Sequence, residues 1–210
     1  MHGKNCDEQS LDFAMCGAGY VQIGRTEYEL PNKKVFIRLD YKRQNVTIRL
    51  AVPADAPDIA EVLIRSWEVA YKDIVPSEYI KERNATRLEQ FKKSITDENK
   101  NHYVIQKQGK TVGSMWVAQS QDDDMGGDCY EVHSIHLHPA YFRQGIGTQA
   151  MGFAFDIARN LGKKTMIVWV IEENTNSIKF YEKCGFEADG KTKDREYGKV
   201  LKLIRMKKDL

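Results

Sequence analysis

The chain of 210 residues has little of what would set it apart from ordinary globular proteins. With 5 Pro and 15 Gly it is neither collagenous nor low-complexity, and 41% apolar with 30% charged residues predicts a packed core rather than disorder. The longest uninterrupted apolar run, Met166–Ile171, falls far short of the roughly 18 residues that cross a bilayer, so no membrane partner is expected. The opening residues Met1-His2-Gly3-Lys4-Asn5-Cys6-Asp7-Glu8 turn acidic without an apolar core and do not read as a secretory signal. A cytoplasmic location is the expectation. Cysteine is scarce too: Cys6, Cys16, Cys129 and Cys184 make no Cys-x-x-Cys pair and read as free thiols in a reducing compartment. Charge of one sign is also missing. Thirty-two Lys and Arg against 30 Asp and Glu leave +2, which gives no footprint for nucleic acid.

What is present is an alternation of strand-like and helix-like patterns. Tyr20–Leu30 and Val35–Lys42 flank the turn residues Pro31-Asn32-Lys33-Lys34 and predict a hairpin, followed by a short strand at Val46–Leu50. Asp55 precedes apolar residues at Ile59, Val62, Leu63, Trp67 and Ala70, one helical face, in a segment closed by Pro76. A second helix runs from Ser77 to Ile95, with a break expected near Asn84. His102–Lys107 and Thr111–Gln119 form another hairpin, and a strand at Tyr130–His138 leads to a helix over Gly145–Leu161. A buried strand at Thr165–Ile171, a short helix at Asn176–Lys183, and strands at Phe186–Thr192 and Lys199–Lys207 complete an α/β order. That order fits many folds.

Three local features carry chemistry. Gln144-Gly145-Ile146-Gly147-Thr148 lies between a strand and a helix, where two glycines let backbone N–H groups approach a phosphate and the helix start adds positive dipole. Alone, such a pair is equally a tight turn, and it is neither a P-loop nor a dinucleotide fingerprint. In the preceding strand, Val132 falls out of phase with Ile135 and Leu137. Either a β-bulge near His133 or Ser134 adds one residue there, or the strand is a loosely patterned edge. A bulge frees backbone groups for a ligand. The same strand holds His133, His136 and His138, yet a zinc site needs three or four converging ligands, so no metal is expected. Asp122–Asp124 reads as a solvated turn, with attraction of cationic acceptors as the second reading.

The third feature is the run from Glu173 to Phe186. Taken together, Ile135-His136-Leu137-His138-Pro139, the turn Gln144-Gly145-Ile146-Gly147-Thr148, and Asn174 followed by Phe180-Tyr181-Glu182-Lys183-Cys184-Gly185-Phe186 resemble the GNAT superfamily of acetyl-CoA-dependent N-acetyltransferases. The resemblance extends back through Asp55 to Val46 and so covers 46–210. It implies a mixed, splayed central sheet flanked by helices, with residues 1–45 as an N-terminal β-hairpin extension. It also implies acetyl-CoA as co-substrate. The pyrophosphate falls to Arg143, Gln144, Gly145, Ile146, Gly147 and Thr148, the pantetheine amides to Leu137 and His138, and the thiol arm to Asn174. Tyr181 would protonate the departing thiolate, and Glu131 stands where many members carry a general base. One departure is Phe142, where the family prefers Gln or Arg.

These roles are chemically coherent. A protonated amine must lose a proton before it attacks a thioester, and a thiolate leaves more readily beside an acid. Each has a plainer competitor: Tyr181 as a packing residue and Glu131 as a solvated strand residue. Trp67 and Tyr71, one helical turn apart, are core by default, but the resemblance sets the loop after their helix beside the acceptor, making them candidate acceptor-binding residues. Residues 1–45 echo the end of the chain, since Cys16-Gly17 is followed by Arg25-Thr26-Glu27-Tyr28 much as Cys184-Gly185 is by Arg195-Glu196-Tyr197. They read as a relic of a preceding copy, or as an acquired hairpin that pairs with a sheet edge or a second subunit; a homodimer stays open. The expected activity is transfer of an acetyl group to a primary amine of a small molecule or protein by direct attack in a ternary complex. The alternative is a non-catalytic acyl-CoA-binding or regulatory module.

Overall fold

The computed structural model describes residue 15 and residues 20–29, 35–43, 45–97 and 101–210. Strands β1 (Tyr20–Glu29) and β2 (Val35–Arg43) pair antiparallel as a two-stranded sheet of their own, with Tyr20 opposite Arg43 and Glu29 opposite Val35. The expected hairpin is therefore present, and its turn at 31–34 lies outside the described residues.

The main sheet has seven strands in the order β3-β4-β5-β6-β7-β9-β8. They are β3 (Val46–Leu50), β4 (Asn101–Lys107), β5 (Lys110–Gln119), β6 (Cys129–Leu137), β7 (Thr165–Ile171), β8 (Glu187–Glu196) and β9 (Val200–Asp209). All neighbours are antiparallel except β6 and β7, which run parallel and pair only over Cys129–Glu131 opposite Thr165–Ile167. Beyond Glu131 the two strands part, and the sheet splays as expected.

Helix α1 (Ala56–Ala70) starts where Asp55 receives the Val52 N–H at 2.7 Å and a two-pronged pair from Arg49 at 2.7 and 2.8 Å. That carboxylate locks the end of β3 to the helix, and Arg49 holds its pKa below the usual carboxylate value. The helix buries Ile59, Val62, Leu63 and Trp67, the face its apolar spacing foretells. Helix α2 (Ser77–Ile95) follows Pro76 without the break expected at Asn84. An interior Asn costs a helix only about 0.7 kcal/mol, and here its carboxamide accepts a 2.8 Å hydrogen bond from Arg87 Nε one turn on. Helices α3 (Ile146–Asn160) and α4 (Thr175–Lys183) cover the other face of the sheet. Ile146, Ala150, Met151, Ala154 and Phe155 of α3 pack with Tyr130, Val132, Met166, Val168 and Met206 in the main core.

The bulge is at His133: Trp116 faces Ser134, and the next residue, Val117, faces Val132. One unpaired residue brings Val132, Ile135 and Leu137 onto the same core-facing side, which resolves the broken alternation. Cys129 and Cys184 are buried free thiols, while Cys6 and Cys16 lie outside the described residues.

The Asp122–Asp124 segment ends in a turn with Asp123 and Asp124 exposed, but the carboxylates of Asp122 and Asp124 are paired and not merely solvated. Buried Arg205 of β9 binds Asp122 at 2.9 Å, Asp124 at 2.6 and 2.8 Å, and Asp189 of β8 at 2.7 Å. Trp169 Nε1 donates to Asp122 at 3.0 Å, and Lys193 Nζ lies 3.8 Å over the Trp169 ring. These carboxylates are committed to tying β7, β8 and β9 to the loop after β5, so they are not held ready for a cationic acceptor.

Replacing Arg205 by Met strands part-buried carboxylates, and the variant should lose about 3 kcal/mol in a denaturant titration. Asp55 and Asp124 both have folded pKa values below their unfolded ones, so each adds stability above about pH 4 that fades as pH falls. Melts from pH 7 down to pH 3 should show that loss, and it should be smaller once Arg49 is replaced by Met.

Candidate active site

Where β6 and β7 diverge, a cleft of ≈ 950 Å³ opens between the end of β6, the start of α3, α4 and the end of α1. Its floor is the turn from Arg143 to Thr148. Arg143 has φ 58° and Gly145 φ 74°, a left-handed geometry that glycine adopts freely and arginine only under strain. Gly145 caps α3, so the N–H groups of Ile146, Gly147 and Thr148 open into the cleft with no turn of helix before them. The helix dipole adds positive potential there. A Cβ on Gly147 would sit 3.1 Å from the Phe180 ring and 3.7 Å from Leu137, so any larger side chain narrows the cleft.

Cations dominate the rim. Lys72, Arg143, Lys179 and Lys183 line the cleft against Asp73 and Glu173, and Arg25 of β1 reaches the same space. Arg25 went unrecognised in the sequence because the extension carries no motif that ties it to the glycine turn. Phe142 also lines the cleft, 37% exposed, so the side chain at that position brings no polar group.

Among the expected site residues, Leu137, Arg143, Gln144, Gly145, Ile146, Gly147, Thr148, Asn174 and Tyr181 all line this one cleft. Gln144 is held by Lys107 Nζ at 2.7 Å and donates to Ala140 O at 2.9 Å. Asn174 caps α4, its Oδ1 accepting from the Ser177 N–H at 3.1 Å. Tyr181 is buried among Phe180, Phe186 and Cys184, and burial, with Tyr71 close by, raises its pKa far above that of a free tyrosine. Its hydroxyl keeps its proton.

Four residues stand outside the lining. His138 turns back to accept the Ala140 N–H at 3.2 Å, while its own N–H bonds Val112 O at 2.8 Å. Glu131 is buried at the last β6–β7 pair, with His133 Nδ1 3.1 Å from its carboxylate, and His133 stacks on Trp116 at 4.2 Å. Trp67 and Tyr71 pack with tilted rings, centroids 4.6 Å apart, beside Ile171, Leu201 and Leu203. Tyr71 nonetheless lies close to the Asn174 side chain, and burial pushes its pKa up to about 12. His136 is half-buried against Ser66 at 3.2 Å, and desolvation pulls its pKa down to about 3, so it stays neutral. Among the described residues no cluster of His, Cys, Asp or Glu could hold a metal.

Known proteins resemble this chain in sequence and in fold. The chain is 33% identical over 138 residues to the uncharacterized N-acetyltransferase YuaI of Bacillus subtilis, spanning 65% of this chain and 78% of that one. The fold matches a PaiA N-acetyltransferase from Thermoplasma acidophilum solved in complex with coenzyme A, with TM-score 0.61 and 20% identity over 79% of this chain and 99% of that one. It also matches the putative acetyltransferase yncA from Salmonella typhimurium solved with acetyl-CoA, with TM-score 0.58 and 22% identity over 79% and 94% of the two chains. Residues 62–186, which hold the bulged strand, the glycine turn and Tyr181, match the model of the acetyltransferase (GNAT) family, and the chain belongs to that family of acetyl-CoA-dependent acyltransferases.

Proposed function

We propose that the protein moves an acetyl group from acetyl-CoA to a primary amine by direct attack within a ternary complex. The observation that carries the reading is one cleft joining an anion-receptive backbone turn at Gly145–Thr148 to a buried, protonated Tyr181. The turn and the surrounding cations suit the pyrophosphate, and the free edge of β6 near Leu137 suits the pantetheine amides. The amine nitrogen bonds to the thioester carbonyl carbon, the C–S bond breaks, and the Tyr181 hydroxyl gives its proton to the departing sulfur. Glu131, at the point where the sheet parts, takes the proton that the amine releases, through water. Direct attack agrees with the two described cysteines: burial pushes Cys129 up to about 11 and Cys184 up to about 12, so neither is a thiolate ready to carry the acetyl group.

One observation favours a second reading. Glu131 is engaged by His133 and does not line the cleft, as befits an acyl-CoA-binding module without a base. Thiol release from acetyl-CoA across a panel of amines, beside a direct CoA-binding measurement, separates the two. Amine-dependent release supports transfer; binding without release supports the module.

Two substitutions probe the parts. Gly147→Val should raise the dissociation constant for CoA at least tenfold in a folded variant, by crowding Phe180 and the open amides; an unchanged constant removes the turn from the cofactor site. Tyr181→Phe should lower kcat about 10- to 100-fold with CoA affinity kept. Because the hydroxyl stays protonated, the wild-type rate should show no falling limb from Tyr181 below about pH 10. A full rate in Tyr181→Phe makes the residue a packing element.

A further inference from the structure

The least expected side chain in the molecule is Arg87, in the middle of α2. Only 3% of it is exposed, although α2 is otherwise a polar helix with Ile80 its one other buried residue. Its Nε donates to Asn84, but Nη2 has no hydrogen-bond partner among the described residues, and no carboxylate pairs with it among them. Of the acids on α2, Glu89 is bound by Lys92 and Glu78 by Ser77, and no ion pair joins Glu82 to Arg87 among the described residues. What surrounds the guanidinium is neutral or positive. It lies 4.6 Å over the Trp67 ring, with Tyr71 and Tyr79 close by, the half-buried neutral His136 within its field, and Arg83 adding like charge one turn away.

Burying a guanidinium without a counter-charge is among the costliest things a fold can do, and burial with like charge lowers its pKa to about 10, leaving it charged at neutral pH. Next to it, Trp67 Nε1 is also buried without a hydrogen-bond partner among the described residues. Two orphaned donors and no acceptor call for an acceptor-only group. A carboxylate brings two oxygens for two donors; a phosphoryl group would bring a third oxygen with nothing described to receive it.

The place matters as much as the charge. Arg87 packs on Trp67, Trp67 packs at a tilt against Tyr71, and Tyr71 lies close to Asn174, which lines the cleft together with Tyr181. The Trp67 and Tyr71 rings lead from the orphaned cation toward the proposed site of transfer, although neither Arg87 nor Trp67 is part of the cleft lining. We infer that Arg87 is the specificity residue for the acceptor, and that the acceptor is an amine carrying a carboxylate, which Arg87 and Trp67 Nε1 bind. This rests on the transferase reading for the word acceptor, but the binding of a carboxylated amine does not depend on turnover.

The experiment titrates the CoA-loaded protein by calorimetry with matched pairs: lysine and cadaverine, phenylalanine and phenethylamine, methionine and 3-methylthiopropylamine, with aminoalkylphosphonates as a third arm. Thiol release is followed in parallel. In at least one pair the carboxylated member should bind ten times tighter or more, the phosphonate more weakly, and Arg87→Met should bring the ratio near one, with Arg87→Lys restoring part of it. Equal or tighter binding of the amines without carboxylate in every pair, or no binding by any carboxylated amine, overturns the inference with wild-type protein alone, as does a ratio that survives in folded Arg87→Met. Transfer to plain amines without carboxylate preference defeats this inference and leaves the transferase reading standing. Carboxylate-dependent binding without thiol release does the reverse.

Discussion

The parting of β6 from β7 after three paired residues is the constraint on which everything else in this molecule depends. Two parallel strands that stay paired would bury their backbone groups in each other. Here the ladder stops at Glu131 and Ile167, and the bulge at His133 turns the rest of β6 away while keeping Ile135 and Leu137 on the core face. The space left between the strands is the cleft. Its far end is closed by the start of α3, whose capping Gly145 needs the left-handed conformation to present three helical amides inward. Sheet, bulge and turn are one device.

Holding that gap open takes support on both sides. On the α3 and α4 face it is apolar packing, with Ile146, Met151 and Phe155 against Tyr130, Met166 and Met206. On the opposite face, β7 and its neighbours are tied by Arg205 and its three carboxylates, and Asp55 fastens β3 to α1. The second face is thus rich in charge, yet Arg87 alone among its buried ions lacks a carboxylate among the described residues. A face that satisfies its other ions so fully makes the one exception informative.

Much of this was legible in the amino-acid order because the signals were local. The out-of-phase Val132 and Ile135 announced the bulge, and the glycines at 145 and 147 announced a turn with open amides, since both are consequences of two or three adjacent residues. What could not be read was long-range or two-sided. Nothing near Asp122 points to Arg205, 83 residues away, so the aspartates looked like a solvated loop. Asn84 looked like a helix break because its bond to Arg87 exists only once the helix has formed. Burial of Arg87 left no trace in the pattern of α2, which reads as a solvated helix throughout.

The central claim is that the acetyl group passes straight from the thioester to the amine while both occupy the cleft. Steady-state velocities measured over a grid of acetyl-CoA and amine concentrations test it most directly. The account predicts double-reciprocal lines that intersect, with CoA released only when amine is present. Parallel lines, together with an acetylated enzyme isolated in the absence of amine, would contradict it.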